Sequence, residues 1–172
     1  MSLVAMNLEP ILLEPQFGPL PENIAAWIAA AATRAKGVDC FDYVPSNPEV
    51  LYGYIRSTPG RSYCEWGSGI GIGVGIAALL GKSASGIEID EELVHRSRGL
   101  FQSHSIDAHV TQGSYLDLQI SPKMKTGAEV VYAYCWPGQV NELLRRFIET
   151  MPRGSTLLLA EGAERITPLR LV

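Results

Sequence analysis

The stretch from Ser62 to Asp90, which reads SYCEWGSGIGIGVGIAALLGKSASGIEID, constrains this chain more than any other part of it. Ser62–Trp66 is a short apolar run typical of a buried strand, residues 67–73 form a glycine-rich turn, and the aliphatic residues 70–80 suit a helix. A second short strand follows over residues 83–89. Right-handed crossovers place two strands connected in this way parallel in one sheet, so the stretch predicts an α/β fold.

The glycine-rich turn indicates a ligand site. Gly67, Gly69 and Gly71 alternate, so the backbone can take positive φ and can approach a ligand closely. The free N–H groups at the start of the following helix favour an anionic group such as a carboxylate. Glu65 at the end of the first strand disfavours a diphosphate and favours an amine or another cation. Glu88 at the end of the second strand is placed to accept two hydrogen bonds from ribose hydroxyls. The pattern predicts a nucleoside that carries both an amine and a carboxylate.

This ligand description fits S-adenosylmethionine, and residues 44–160 resemble the class I S-adenosylmethionine-dependent methyltransferases. The family's motif of an acidic residue followed by Gly-x-Gly-x-Gly begins here at Glu65, and its ribose-binding acid corresponds to Glu88. The resemblance implies a Rossmann-like, doubly wound, mostly parallel sheet with helices on both faces. It also implies S-adenosylmethionine as the cofactor.

Later parts of the chain continue the resemblance. Residues 112–115 look like the turn that lines the adenine after the third strand, although Ser114 stands where the family often has an acid. Residues 128–136 look like the fourth strand, and residues 154–160 look like the fifth. The implied cofactor-binding residues are Glu65, Gly67, Ser68, Gly69, Gly71, Glu88, Ile89, Ser114, Tyr115 and Tyr43. The implied substrate-facing residues are Tyr134, Cys135, Trp136 and Pro137.

Each of these features also has a structural explanation. Glycines serve tight turns and close helix packing, and the two acids could be solvated residues at strand ends. Trp136 could cap the core while Pro137 begins a helix that extends to residue 151. The order and spacing of the parts together favour the functional interpretation.

Residues 1–60 are expected to form an N-terminal arm and helices that cover the cofactor site, and residues 61–172 are expected to form the Rossmann-like core of a single domain. Leu12 and Leu13 are candidates to anchor the arm, and helices are predicted over residues 21–36 and from Pro48 onward. Tyr43 and the following Pro45 resemble a loop before the glycine motif in small non-SET protein lysine methyltransferases. A packing helix at the sheet edge is the equally weighted alternative.

The end of the chain departs from the family, whose members continue past the fifth strand with a helix and an antiparallel hairpin. Residues 161–172 provide one strand at most, predicted over residues 169–172. The expected sheet is therefore shortened at its C-terminal side to five or six strands with an open edge. The N-terminal arm or a second subunit in a homodimer could cover that edge.

Composition excludes several classes of protein. The chain has 172 residues, of which 47% are hydrophobic and 19% charged, and these values suit one globular domain. A net charge of −4 argues against sequence-independent nucleic-acid binding. There is no long apolar run and no signal-peptide pattern, so we expect a cytoplasmic protein without a membrane segment. Cys40, Cys64 and Cys135 are expected to be reduced thiols.

No metal or acid–base motif is visible. His95, His104 and His109 lack metal-ligand spacing, and no cysteine pair stands near them, so no metal is predicted. The sequence also lacks a Gly-x-Ser-x-Gly elbow and a phosphate-binding loop. Methyl transfer from a sulfonium needs little acid or base when the nucleophile arrives neutral, because alignment contributes much of the rate.

The expected function is transfer of a methyl group to an unidentified acceptor, with an amine of a protein or small molecule as the first candidate. The Asn/Asp-Pro-Pro-Tyr/Phe motif is absent, which argues against an adenine or glutamine nitrogen. One alternative is a non-catalytic module that binds S-adenosylmethionine or a nucleoside. Another is an NAD-dependent oxidoreductase, whose glycine pattern occurs only at Gly73, Gly75 and Ala78, deep in the predicted helix.

Overall fold

A computed structural model describes residues 7–38, 43–117, 129–136 and 138–172. The described strands are β1 (Leu8–Pro10), β2 (Ser62–Trp66), β3 (Ser83–Glu88), β4 (Ala108–Gln112), β5 (Val130–Tyr134), β6 (Thr156–Ala160) and β7 (Ile166–Leu171). The described helices are α1 (Glu22–Ala35), α2 (Pro48–Ser57), α3 (Ile72–Leu79), α4 (Glu91–Ser103) and α5 (Val140–Thr150). The predicted strand, glycine loop, helix, strand unit corresponds to β2, α3 and β3.

The strands form one sheet in the order β1-β7-β6-β5-β2-β3-β4. Strands β6, β5, β2, β3 and β4 are parallel, whereas β7 is antiparallel to both β6 and β1. The chain moves outward from β2 through β3 to β4 and then returns to β5 on the other side of β2. The expected doubly wound α/β fold is confirmed, and the crevice between the ends of β2 and β5 is the position where such sheets bind ligands.

The described sheet has seven strands rather than the predicted five or six. β7 starts at Ile166, three residues before the predicted start, and β1 pairs with it from the N-terminal side of the chain. Pro10 is tolerated in β1 because this is an edge strand, where a missing N–H disrupts no interior ladder. The arm of the same chain thus lies where the sequence predicted an open edge. The homodimer stays a prediction.

Two apolar clusters occupy opposite faces of the sheet. α1, α2, α3 and α4 contribute to the first cluster, and α5 contributes to the second. Successive residues of β2 alternate between them, so Tyr63 lies in the first cluster while Cys64 and Trp66 lie in the second. This alternation directs Glu65 toward the face covered by α2 and α3.

Capping residues explain where the helices next to the crevice begin. Asn47 Oδ1 accepts hydrogen bonds from the amides of Glu49 at 3.0 Å and Val50 at 3.4 Å, and Pro48 occupies the first turn of α2. Asp90 Oδ1 accepts a bond of 2.9 Å from the Leu93 amide at the start of α4. Both caps use short polar side chains immediately before the helix.

Of the two residues predicted to anchor the arm, the structure supports only Leu13, and other residues attach the arm to α2. Leu12 is 93% exposed, so its prediction as an anchor is wrong, whereas Leu13 packs against the first cluster. The Gln16 amide donates a hydrogen bond of 2.8 Å to Ser57 Oγ. Phe17 lies against Gly53 of α2, where a Cβ would approach its ring to 2.9 Å.

Cys64 and Cys135 are buried free thiols, and Cys40 lies outside the described residues. Burial raises the pKa of Cys64 to about 12. In the described parts of the chain, no helix combines the length and the apolar character that crossing a membrane requires.

Candidate functional site

A cleft of about 560 Å³ opens at the carboxyl ends of the parallel strands. Its walls come from the glycine loop, the end of β3, the turn after β4, the end of β5 and the segment 43–46. Of the predicted site residues, the structure places these in its lining: Tyr43, Glu65, Gly67, Ser68, Gly69, Glu88, Ile89, Ser114, Tyr115, Tyr134 and Trp136.

The glycine loop folds back onto β3 through its own backbone. The amides of Gly67 and Ser68 both donate to the Ile87 carbonyl at 2.9 Å. Gly67, Gly69 and Gly71 have φ values of 76°, 55° and 83°, so the loop has the left-handed backbone that the glycine spacing predicted. Gly71 is the N-cap of α3 and does not line the cleft.

Glu65 is a buried carboxylate at the end of β2. Only 5% of the residue is exposed, and its Oε2 has no hydrogen-bond partner among the described residues. Burial raises the pKa of Glu65 to about 8, and Glu88 adds to the rise, while the Val74 amide and the Tyr63 hydroxyl partly offset it. A cation in the cleft would stabilise the ionised form of this carboxylate.

The side chains around Glu65 are polar and buried. Tyr63 precedes it by two residues on the same face, and Tyr132 of β5 pairs with it in the parallel register. The Tyr63 hydroxyl also lacks a partner of good hydrogen-bond geometry in the described residues, and burial raises its pKa well above the usual value. Gly73 leaves room for both groups, because a Cβ there would meet Glu65 Oε2 at 2.7 Å and the Tyr63 oxygen at 2.8 Å.

Ser68 provides a second unsatisfied polar atom in the cleft. The residue is 5% exposed, and its Oγ is buried without a hydrogen-bond partner among the described residues. Gly86 of β3 makes room for it, since a Cβ on Gly86 would stand 2.6 Å from Ser68 Oγ. Unsatisfied buried polar atoms are costly, so this hydroxyl and the Glu65 carboxylate are both consistent with a bound polar ligand.

Glu88 connects the glycine loop to the start of α4. Its Oε2 accepts a hydrogen bond of 2.7 Å from the Gly69 amide, and its Oε1 accepts one of 2.9 Å from the Asp90 amide. Each carboxylate oxygen has a second lone pair, so the group can still accept hydrogen bonds from a diol. Ile89 follows at the rim of the cleft and is 70% exposed.

Segment 43–46 lies over the glycine loop. The ring of Tyr43 covers Gly69, where a Cβ would approach Tyr43 Cε2 to 2.5 Å. Burial, with Glu65 and Glu88 nearby, raises the pKa of Tyr43 to about 12. The hydroxyls of Ser46 and Tyr132 form a hydrogen bond across the cleft wall.

A buried arginine of α5 donates hydrogen bonds to the turn after β4. The Tyr115 ring stacks on Trp66 with a centroid distance of 5.3 Å and an interplanar angle of 11°. Arg146 of α5 donates to the Tyr115 carbonyl at 3.0 Å and to the Asp117 carbonyl at 2.8 Å. Arg146 is 4% exposed, so it acts inside the protein rather than at the surface.

The predicted substrate-facing residues separate into two groups. Tyr134 and Trp136 line the mouth of the cleft and contact each other edge to face, with centroids 5.7 Å apart. Cys135 points instead into the second apolar cluster, because alternate residues of an extended chain face opposite sides. Its prediction as a substrate contact is therefore not supported by its position. Pro137 lies outside the described residues.

Several lining residues were not predicted as site residues. They include Val44, Pro45, Ser46, Leu51, Ile72, Ile87, Asp90, Leu93, Gly113, Leu116, Tyr132 and Gln139. Tyr132 could have been found, since it lies in the predicted fourth strand two residues before Tyr134. Pro45 and Gly113 belong to segments that the resemblance already assigned to the cofactor site. The others reach the cleft through the folding of loops and helix ends, which no local pattern reveals.

No group of three or more potential metal ligands occurs in the described ranges. The described lining contains the carboxylates of Glu65, Glu88 and Asp90 and no lysine, arginine or histidine. The cleft thus offers carboxylates at its deep end and aromatic rings at its mouth. Such a site can bind a diol and a cation and can exclude water from a reacting group.

Neither protein-family models nor curated proteins match this sequence. Solved structures do resemble the fold. An S-adenosylhomocysteine-bound methyltransferase of Podospora anserina superposes with a TM-score of 0.67 at 8% identity, over 84% of this chain and 64% of that protein. A methyltransferase of Geobacter sulfurreducens gives a TM-score of 0.63 at 13% identity, over 91% of this chain and 93% of that protein.

A putative O-methyltransferase of Klebsiella pneumoniae gives a TM-score of 0.60 at 14% identity, over 82% of this chain and 66% of that protein. The chain thus spans slightly less than two thirds of the Klebsiella and Podospora proteins. At such low identity the likeness shows the fold, which is the Rossmann-like fold of these methyltransferases.

Proposed function

We propose that this protein transfers a methyl group from S-adenosylmethionine to an acceptor. The observation that carries the proposal is the pair of carboxylates at the ends of adjacent strands, Glu65 on β2 and Glu88 on β3, which line one cleft with the glycine loop between them. One carboxylate suits the cationic amine of the ligand, and the other suits the two hydroxyls of its ribose. The solved structures with this fold include methyltransferases bound to S-adenosylhomocysteine, the demethylated product.

The residues that line the cleft support the fit. The Glu65 carboxylate would receive the amine of the methionine part, and the glycine loop with Ser68 would lie beside its carboxylate. Glu88 would accept the ribose hydroxyls, while Ile89, Ser114 and Tyr115 would surround the adenine. When bound, S-adenosylmethionine supplies a methyl group activated by a positively charged sulfur.

Calorimetric titration with S-adenosylmethionine and S-adenosylhomocysteine, with NAD as the control ligand, tests the cofactor. We expect both related ligands to bind and NAD to fail. Glu88→Ala should weaken binding of both, whereas Glu91→Ala, which changes an exposed acid in the first turn of α4, should not. If well-folded protein binds neither related ligand, the proposed function is wrong.

We propose an amine of a protein or a small molecule as the acceptor. The proposal rests on the resemblance of Tyr43 and Pro45 to a loop of non-SET protein lysine methyltransferases. The similar solved structures include proteins described as O-methyltransferases and an RNA methyltransferase. Mass spectrometry of candidate amines and alcohols incubated with the protein and S-adenosylmethionine distinguishes these acceptor classes.

A non-catalytic binding module is the second candidate, and the open mouth of the cleft argues against it. One continuous cavity extends from the glycine loop to Tyr134 and Trp136, so a second molecule can approach the bound cofactor. The NAD-dependent alternative is disfavoured because Gly73 and Gly75 pack inside α3 against Tyr63 and Trp27, away from any pyrophosphate. Methylation of any acceptor would exclude the module.

A further inference from the structure

We infer that the acceptor is an alkylamine that enters the cleft as a cation, and that Tyr134 and Trp136 select it. The inference rests on the proposed function. It adds the charge of the acceptor at entry and the residues that recognise it.

The charge of the cleft favours a cation over an anion. The described lining holds the carboxyl groups of Glu65, Glu88 and Asp90 and no basic side chain, and burial keeps Glu65 neutral near pH 7 until a cation pairs with it. An acceptor that carries a phosphate or a carboxylate near its reacting atom would meet negative charge with no partner for its own. A neutral or positively charged acceptor meets no such barrier.

The mouth of the cleft has the geometry that attracts organic cations. Tyr134 and Trp136 stand at an interplanar angle of 83° with centroids 5.7 Å apart. A cation in the corner between two perpendicular rings can contact both, and ring faces attract alkylammonium groups through their quadrupoles. Tyr134 is the last residue of β5, and Trp136 follows two residues later on the same side of the chain. The end of β5 lies next to the end of β2.

Packing alone does not account for Trp136. Of the residue, 39% is exposed, and it lies on the cleft rather than in an apolar cluster. An exposed aromatic at the mouth of a polar cleft instead suits recognition of a partner.

Methyl transfer to such an acceptor requires loss of a proton and then attack by the nitrogen. The ammonium group would first give one proton to water, and the positive sulfur of a bound cofactor would favour this loss by disfavouring a second cation. The lone pair of the neutral nitrogen forms a bond to the methyl carbon, and the carbon–sulfur bond breaks with its electron pair on sulfur. The products are a methylated ammonium group and an uncharged thioether.

The inference is tested by binding rather than by turnover. Protein saturated with S-adenosylhomocysteine is titrated with choline, with its uncharged isostere 3,3-dimethyl-1-butanol and with the anion 3,3-dimethylbutyrate, and NMR shifts report binding. We expect choline to bind about 3- to 30-fold more tightly than the alcohol and the anion to bind least. The preference should remain in high salt, which screens the distant carboxylates more than ring contacts.

Variants connect the preference to the two rings. Trp136→Leu and Tyr134→Leu should bring the ratio between choline and the alcohol close to one, whereas Trp136→Phe should keep most of it. Phe17→Leu serves as the matched control, since Phe17 is an exposed aromatic of the N-terminal arm that packs against Gly53 of α2 and lies outside the cleft lining.

The outcomes separate this inference from the proposed function. Equal binding of choline and the alcohol by protein that binds S-adenosylhomocysteine overturns the selection of a cation and leaves methyl transfer standing. If both leucine variants still prefer choline to the alcohol, other groups cause this preference and the role of the two rings is overturned. Failure to bind S-adenosylhomocysteine at all overturns the proposed function and the inference together.

Discussion

Glu88 Oε2 accepts a hydrogen bond of 2.7 Å from the Gly69 amide, so the carboxylate that ends β3 also holds the glycine loop in place. Its other oxygen accepts from the Asp90 amide at the start of α4. The residue predicted to bind ribose is therefore also the link between the loop, β3 and the next helix. Cofactor affinity and local structure are expected to depend on it together.

Glu88→Gln tests this double role. An amide oxygen can satisfy one of the two backbone donors, while the amide NH₂ must face the other, so unfolding should become easier by about 1–3 kcal/mol. Affinity for S-adenosylhomocysteine should fall about tenfold or more. Urea unfolding and calorimetry measure the two effects. Glu91→Gln is the control, and a Glu88→Gln protein as stable as the wild type would show that the link contributes nothing.

Glu65→Gln should change how stability depends on pH. Burial raises the pKa of Glu65 to about 8 from an ordinary value of 4.5, so between these pH values the folded state retains a proton that the unfolded state has lost. The wild type therefore loses stability from this group as pH rises through that range. Glutamine cannot titrate, so the variant should gain on the order of 4–5 kcal/mol relative to the wild type between pH 4 and pH 9.

Unfolding in urea at pH 4, 7 and 9 measures this difference between Glu65→Gln and the wild type. The same variant should bind S-adenosylhomocysteine roughly tenfold more weakly, because the hydrogen bond to a charged group is lost. A stability difference that is constant over the pH range would mean that Glu65 is not held neutral by burial.

Two helix glycines should respond to alanine with opposite signs. In α3, a Cβ on Gly75 would stand 2.1 Å from Trp27 Cε2, and Trp27 is held by the hydrogen bond of its Nε1 to the Ile72 carbonyl at 2.9 Å. Gly75→Ala should therefore destabilise the protein by about 1–3 kcal/mol or more. In α4, the nearest atom to a Cβ on Gly99 is Arg34 Nη2 at 3.5 Å, an ordinary contact. Gly99→Ala should stabilise by about 0.5–1 kcal/mol.

Thermal unfolding of the two alanine variants measures this comparison directly. Both substitutions add one methyl group inside a helix, so the gain in helix propensity is the same in both variants. Only the surroundings of the added methyl group differ. Equal shifts in Tm would contradict the close contact between Gly75 and Trp27.

Arg146 is expected to act as a positioning residue for the turn after β4. Arg146→Met removes both hydrogen bonds to the turn, so the stack of Tyr115 on Trp66 should loosen and S-adenosylhomocysteine should bind several-fold more weakly. Trp fluorescence and near-UV circular dichroism report the stack. Arg146→Lys should restore part of the affinity, because lysine can reach one carbonyl.

The neighbouring Arg145→Met is the matched control for Arg146→Met. Arg145 has 59% of its side chain exposed and approaches Glu142 at 4.0 Å, an ion pair of little energetic weight. We expect no change in ligand affinity or in the aromatic signal. An unchanged signal and affinity in Arg146→Met as well would assign the buried arginine to stability alone.

The local elements around the cleft were predictable because their signals are local. The helix predicted from Pro48 onward begins at that residue in the structure. The left-handed backbone of the glycine loop follows from glycine's missing Cβ. The position of Glu65 and Glu88 at strand ends follows from the lengths of two apolar runs.

The arm and the second edge of the sheet were predicted less well. Leu12 appeared to be an anchor because it is apolar, yet the arm is attached through the Gln16 amide and Phe17. β1 pairs with β7 across almost the whole length of the chain, as in the register Leu8↔Leu171. Sequence patterns indicate that a segment is extended, but they do not indicate which strand it joins.

The sequence by itself determined that a strand ending in Glu65, a glycine loop and a strand ending in Glu88 form one ligand-binding unit, because each part depends on neighbouring residues and on backbone geometry. Only the tertiary structure decided what surrounds that unit. Ser46 and Tyr132 are separated by 86 residues, and their hydroxyls meet only in the folded chain, where strand order places Tyr132 beside Glu65. The burial that raises the pKa of Glu65 comes from such distant contacts, which no local pattern encodes.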